Sequence, residues 1–93
     1  MDYGKALSVV RAAKGLSQKD LATLIDKTPS YISRIEKDER TPSMNTINLI
    51  CERLEIPITL FMLLGKKYEN MDKFDKRLLD EMGSELLQII TKD

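Results

Sequence analysis

The chain has 93 residues, of which 42% are hydrophobic and 32% charged, and this length suits one small domain. It contains no histidine and one cysteine, which excludes the usual Cys/His zinc sites and the nucleophile systems that need a histidine base. Lys plus Arg and Asp plus Glu each number 15, so the formal net charge is zero and does not indicate a polyanionic partner. We expect no enzymatic activity, no cofactor and no metal site.

The sequence also argues against secretion and membrane insertion. Its first residues lack the charged start and apolar stretch of a secretory signal, and no apolar run approaches the ~20 residues of a membrane span. Cys51 lies among apolar neighbours, which favours a small buried hydrophobe over a reactive thiol. We therefore expect a cytoplasmic protein that does not contact a membrane.

Apolar residues recur at helical spacing along almost the whole chain, without sustained two-residue alternation, and this predicts an all-α fold. A first helix is expected over residues 3–14, followed by Gly15 as a helix-ending residue. A second helix is expected over residues 17–25. It opens at Ser17, and Asp20 three residues later completes a capping-box pattern.

Three further short helices have similar start and stop signals. Thr28 is a good N-cap and precedes a proline, which is favoured at the first helical position. Ser43 caps another start, and Gly65 marks a stop. The three helices are predicted over residues 29–37, 44–54 and 58–64.

The last part of the chain has a different character. Residues 66–70 are polar and are typical of a linker, and residues 71–91 carry an apolar stripe at helical spacing. We predict a five-helix unit over residues 1–65, with a linker and an appended amphipathic helix over residues 66–93.

The second and third predicted helices have the length and separation of a helix-turn-helix. Small and aliphatic residues mark their inner faces: Leu21, Ala22, Ile25, Ile32 and Ile35. The outward face of the third helix then carries Ser30, Tyr31, Ser33, Arg34 and Lys37. Such a face suits base edges, because Arg pairs bidentately with guanine and hydroxyls are adaptable. The same periodicity also fits a helical hairpin that is unrelated to DNA.

Several runs in this order and spacing resemble the lambda-repressor/Cro-like (XRE-type) helix-turn-helix family of bacterial and phage regulators. The runs are KGLSQKDLA at 14–22, YISRIE at 31–36, RTPS at 40–43 and LEIP at 54–57. The resemblance covers roughly residues 3–64. It implies a five-helix DNA-binding domain that places its third helix in the major groove.

The resemblance also implies roles for individual residues. Residues at positions that read bases are Ser30, Tyr31, Ser33 and Arg34. Residues at positions that contact the DNA backbone are Ser17, Gln18, Lys19, Thr28, Lys37, Ser43 and Asn45. Arg11 and Glu36 match a structural ion pair that ties the first helix to the third. We expect Tyr31 to face DNA, with partial packing against the domain as the alternative.

Two positions depart from the family pattern. Asp26 stands in the turn where relatives usually have glycine, although Asp tolerates the left-handed conformation better than most residues. Pro29 stands where relatives often place a base-contacting side chain. Proline cannot hydrogen-bond to a base, so direct readout is expected to rest on few residues.

The apolar stripe of the tail needs a surface to cover it. Its own domain, a second copy and another protein are the three possibilities, and we predict a homodimer. The expected dimer seam contains Phe61, Met71, Phe74, Leu78, Met82, Leu86 and Ile89. The predicted function is a repressor that binds a pseudo-palindromic operator as this dimer. The alternative is an antitoxin or adaptor that captures a partner protein with the tail.

Overall fold

The computed structural model describes residues 1–66, 70–77 and 80–81. Five α-helices follow one another: α1 (Tyr3–Ala13), α2 (Gln18–Leu24), α3 (Pro29–Glu36), α4 (Met44–Leu54) and α5 (Ile58–Leu64). These residues contain no β-strand. The predicted all-α fold is confirmed, and each of the five helices lies inside its predicted range, with its ends differing by at most one residue.

Polar side chains set the starts of four of the helices. Asp2, Ser17, Thr28 and Ser43 each accept a hydrogen bond from the backbone N–H three residues further on, over 2.8–3.2 Å. Each bond satisfies one of the amide groups that a helix start leaves without an intrahelical partner. The helix α5 starts after Pro57 without such a bond. Local sequence therefore sets the starts of four of the five helices.

The helices enclose one hydrophobic core. The first helix, α1, packs on α3 and α5, while α2 packs on α3 and α4 on α5. The core contains Ala6, Leu7, Val10, Leu21, Ala22, Ile25, Ile32, Ile35, Ile47, Ile50, Cys51, Leu54, Ile56 and Phe61. All these residues lie between positions 6 and 61, on the five helices and the segments that join them.

Phe61 corrects the expectation that this side chain lies on a dimer seam. It is only 1% exposed and belongs to the core. The reason is that α5 is apolar on almost every side, so helical spacing does not distinguish its inner face from its outer face. Packing against α1 and α4 buries Phe61 within its own domain.

A glycine allows α1 to approach α3 closely. A Cβ atom on Gly4 would lie 2.6 Å from the carbonyl oxygen of Ile35 and 2.9 Å from that of Glu36. These are backbone atoms at the end of α3, so they cannot move aside as a flexible side chain would. The contact between the two helices therefore requires a residue without a side chain at position 4.

The described part of the tail contains helical residues at 73–77 and 80–81. Asp72 accepts a 2.7 Å bond from the Asp75 amide, so this helix starts at residue 73 rather than at 71 as expected. Lys66 forms a 2.7 Å ion pair with Asp75 across the linker. Most of the predicted tail helix, including Leu78, Met82, Leu86 and Ile89, lies outside the described residues. None of the described helices is both long and apolar enough to cross a lipid bilayer.

Candidate nucleic-acid interface

The turn between α2 and α3 brings the two helices together. Asp26 adopts the left-handed conformation, with φ of 59°. The next amide, that of Lys27, donates to the carbonyl of Ala22 over 2.8 Å and closes the end of α2. Asp26 therefore takes the backbone conformation that a glycine usually supplies at this kind of turn. Thr28 then begins α3, with its hydroxyl bonded to the Tyr31 amide.

The outer surface of α3 carries three polar side chains that face solvent. Ile32 and Ile35 are buried, which turns Ser30, Arg34 and Lys37 to solvent. Over residues 1–66, 70–77 and 80–81, none of these three side chains forms a hydrogen bond or an ion pair. Their donors are therefore available to an outside partner. Two neighbours on the helix differ: Ser33 is half-buried, and Pro29 is exposed but has no donor.

Tyr31 combines features of both predictions for it, one that it faces DNA and the other that it packs partly against the domain. Its side chain is half-buried and packs against the core. The Lys27 ammonium lies over the ring at 5.2 Å from its centroid, and the Arg40 guanidinium carbon lies over it at 4.8 Å. Both distances are within the ~6 Å range of cation–π attraction. The ring therefore gathers two cations that come from opposite ends of α3.

Arg11 and Glu36 lie together behind the recognition surface. The Arg11 guanidinium donates two 2.9 Å bonds to the two carboxylate oxygens of Glu36. It also donates a 2.8 Å bond to the carbonyl of Leu16, in the loop before α2. The bonds that Arg11 donates to the Glu36 carboxylate raise the pKa of Arg11. This cluster joins α1, the loop before α2 and the end of α3.

The start of α2 is partly occupied by its own capping box. The Asp20 amide donates to the Ser17 hydroxyl, and the Ser17 amide donates to the Asp20 carboxylate, both over 3.0 Å. These bonds from Ser17 hold the pKa of Asp20 below its ordinary value. The backbone amides of Ser17 and Asp20 are therefore already bonded within the helix start. Lys19 is exposed, and the side-chain Nε2 of Gln18 donates to the Glu36 carboxylate over 3.5 Å.

The start of α4 presents small polar groups. The Ser43 hydroxyl accepts from the Thr46 amide and lies 3.0 Å from the Thr46 hydroxyl. Asn45 is exposed on the first turn of α4. Both lie where the resemblance expected contacts to the DNA backbone, and Ser43 keeps a hydroxyl that can also serve an outside partner.

An acidic residue near α3 is turned away from the candidate surface. Asp38 adopts the left-handed conformation, with φ of 60°. Its carboxylate lies 2.9 Å from the position of a Cβ on Gly4, so it points towards α1. The repulsion that this carboxylate would exert on a phosphate is thereby reduced.

Sequence reasoning missed two contacts that organise this region. Arg53, in the last turn of α4, donates a 3.1 Å bond to the carbonyl of Leu24 at the end of α2. The sequence gives no signal for this bond, because Arg53 has the spacing of an ordinary surface residue. The gathering of Lys27 and Arg40 on Tyr31 was also missed. An aromatic side chain on an otherwise polar helix face was the available signal for it.

Together, the short α2, the left-handed turn and the polar outer face of α3 define a helix-turn-helix domain, a class of DNA-binding domain. The family model described as Helix-turn-helix matches residues 8–61, and the chain belongs to this family. This membership confirms the resemblance to lambda-repressor/Cro-like proteins seen in the sequence.

Two curated relatives can be named. The chain is 32% identical over 83 residues to the HTH-type transcriptional regulator PuuR of Escherichia coli (strain K12). It has the same identity, over the same length, to the HTH-type transcriptional regulator PuuR of Shigella flexneri. The match covers 88% of this chain and 45% of each relative, so the chain spans less than half the length of these proteins.

Proposed function

We propose that this protein is a sequence-specific transcriptional regulator, that it acts as a repressor, and that it binds a pseudo-palindromic operator as a homodimer. The observation that carries the proposal is the outer face of α3, where Ser30 and Arg34 hold unengaged hydrogen-bond donors above two buried isoleucines. The names of the two relatives, both transcriptional regulators, support the same class of function.

Arg34 is the main base-reading residue of the proposal. Its guanidinium is exposed and forms no ion pair with any described carboxylate. With α3 in the major groove, it suits bidentate bonding to a guanine, while Ser30 adds an adaptable hydroxyl. Pro29 contributes at most apolar contact with a thymine methyl group. Direct readout is therefore concentrated on a few positions of the operator.

Phosphate contacts orient α3 in the groove. The residues proposed for them are Gln18, Lys19, Thr28, Lys37, Ser43 and Asn45. Most of these residues are uncharged, and residues 1–40 carry only eight cations against six acids. The DNA-binding constant falls with salt concentration more steeply when more Lys and Arg side chains contact phosphates. We therefore expect a weak dependence of affinity on salt, and weak non-specific binding.

The proposed dimer uses the outside of α5 and the tail. A groove of about 400 Å³ lies between them, lined in part by Ile58, Met62 and Phe74. Phe74 is 69% exposed, which is unusual for a large apolar side chain in a monomer. A second copy would bury it and would present two α3 helices to half-sites about 34–36 Å apart.

Selection from random duplex DNA tests DNA recognition. We expect enrichment of a pseudo-palindrome, followed by two different responses to mutation. Arg34→Ala relaxes specificity at one base pair and reduces the binding free energy by ~1–3 kcal/mol. Gln18→Ala, in contrast, weakens binding to all DNA sequences by a similar factor. No enrichment at several salt concentrations would favour the antitoxin or adaptor function, in which the tail captures a partner protein.

Sedimentation of the full chain tests the dimer. Phe74→Gln is expected to weaken self-association by at least about tenfold, because each dimer loses two buried aromatic side chains. Met44→Gln is the matched control, since Met44 is also an exposed apolar residue but lies at the start of α4. Equal effects of the two variants would contradict the proposed seam.

A further inference from the structure

Tyr31 brings together two cations that are 13 residues apart in the sequence. Lys27 precedes α3 and Arg40 follows it, and both charges lie over the same ring, at 5.2 and 4.8 Å from its centroid. No described carboxylate lies within ion-pair distance of either cation. Two positive charges thus lie within about 5 Å of one ring, and neither forms an ion pair with a described carboxylate.

We infer that Tyr31 is a positioning residue for DNA binding, which holds Lys27 and Arg40 ready to contact phosphates beside the groove that α3 occupies. The inference rests on the proposed DNA-binding function and deepens it. It replaces the base-reading role expected for Tyr31 with an indirect one. It also adds Lys27 and Arg40 to the set of backbone contacts.

The arrangement of the ring supports an indirect role. Tyr31 packs against the core on one side and has cations over the ring, so little of its aromatic face is left for a base. Its backbone amide donates to the Thr28 hydroxyl, which holds the backbone of Tyr31 in the first turn of α3. A ring held in this way is well suited to restrain two long side chains that would otherwise lose conformational freedom on binding.

The charge of the domain supports the same inference. The excess of cations over acids in residues 1–40 is only two, so the placement of each cation matters. Cations that are held near their phosphates before binding release counterions without a further ordering cost. The two positive charges of Lys27 and Arg40 are as large as the whole net charge of residues 1–40.

Two substitutions of the ring separate the possible roles. Tyr31→Leu keeps apolar packing but removes the aromatic face, whereas Tyr31→Phe keeps the face and removes only the hydroxyl. On a random-sequence duplex of about 30 base pairs, Tyr31→Leu is expected to weaken binding about three- to tenfold. The slope of the logarithm of the binding constant against the logarithm of the salt concentration should become smaller in magnitude by about one. Tyr31→Phe is expected to bind like the wild type and to keep its slope.

A mutant cycle shows whether Tyr31 acts through the cations. In a Lys27→Gln/Arg40→Gln background, adding Tyr31→Leu is expected to change affinity by less than about twofold. If Tyr31 contacted a base directly, Tyr31→Leu would still weaken binding to the selected operator in that background. Thermal unfolding of every variant, measured without DNA, identifies any loss of affinity that comes from misfolding.

Proton NMR of the free protein tests the contact itself. The ring current of Tyr31 should change the chemical shifts of the Lys27 and Arg40 side-chain methylene protons. The change should be present in the wild type and in Tyr31→Phe, but not in Tyr31→Leu. Unshifted protons in the wild type would overturn the inference, as would an operator affinity that falls equally in Tyr31→Phe and Tyr31→Leu. Failure of the proposed function looks different, because the wild type itself would then bind no duplex.

Discussion

Replacing Arg11 by methionine removes the group that joins three parts of the domain. Its guanidinium donates two 2.9 Å bonds to Glu36 on α3 and one 2.8 Å bond to the carbonyl of Leu16 in the loop before α2. Methionine keeps most of the apolar stem, so the substitution mainly removes the charge and its bonds. The cost is then set by the groups left behind.

The magnitude follows from how far those groups are removed from water. The Glu36 side chain is 10% exposed and that of Arg11 is 20% exposed. Breaking a buried pair from one side costs ~3–5 kcal/mol, and we place this partly exposed pair at the lower limit, about 3 kcal/mol. Glu36→Gln should cost less, about 1–2 kcal/mol, because Arg11 is the more exposed partner and keeps its bond to Leu16.

Urea unfolding followed by circular dichroism measures these costs. Both variants should lower the transition midpoint without changing the slope of free energy against urea concentration. The double variant should lose less than the two single variants together, since each single change already removes the shared bonds. Lys66→Met, in the exposed pair with Asp75, is the matched control and should have little effect.

One result would refute this reasoning. If the free energy of unfolding of Arg11→Met lies within ~0.5 kcal/mol of the wild-type value, the effect is that of an ordinary surface substitution. The pair would then not hold α1 and the loop against α3. Additive losses in the double variant would lead to the same conclusion.

Three further predictions concern the domain itself. Gly4→Ala should lower stability by ~1–3 kcal/mol in thermal unfolding, because its Cβ would meet the Ile35 carbonyl 2.6 Å away. The pKa of Asp20, lowered by bonds from the Ser17 amide and hydroxyl, should be found below 3.8 in an NMR titration. The stability that the ionised carboxylate contributes is therefore complete above pH 3.8 and is lost as the pH falls further, and Ser17→Ala should move this pKa part of the way back. Cys51 is buried and burial raises the pKa of its thiol, so a disulfide reagent should modify it far more slowly in the folded protein than in urea-unfolded protein.

Local chemistry explains why the helices were predictable. Each cap at Ser17, Thr28 and Ser43 acts within three residues of its own position, so the information lies in a short window of sequence. The inner faces of α1 to α4 were also predictable, because one apolar stripe on an amphipathic helix leaves a single side to bury. Ile32 and Ile35 also predicted the exposure of Ser30, Arg34 and Lys37, whereas Tyr31 and Ser33, predicted on the same face, are half-buried.

The sequence by itself therefore determined the all-α fold, the order and limits of its helices and the polar character of the recognition face. Tertiary structure decided the placement of Phe61, since α5 is apolar on almost every side and only its neighbours select the buried side. It also decided the role of Tyr31, because Lys27 and Arg40 reach the ring only after the turn and the loop have folded around α3. Periodicity describes one helix at a time, whereas these contacts depend on the distances between separate segments.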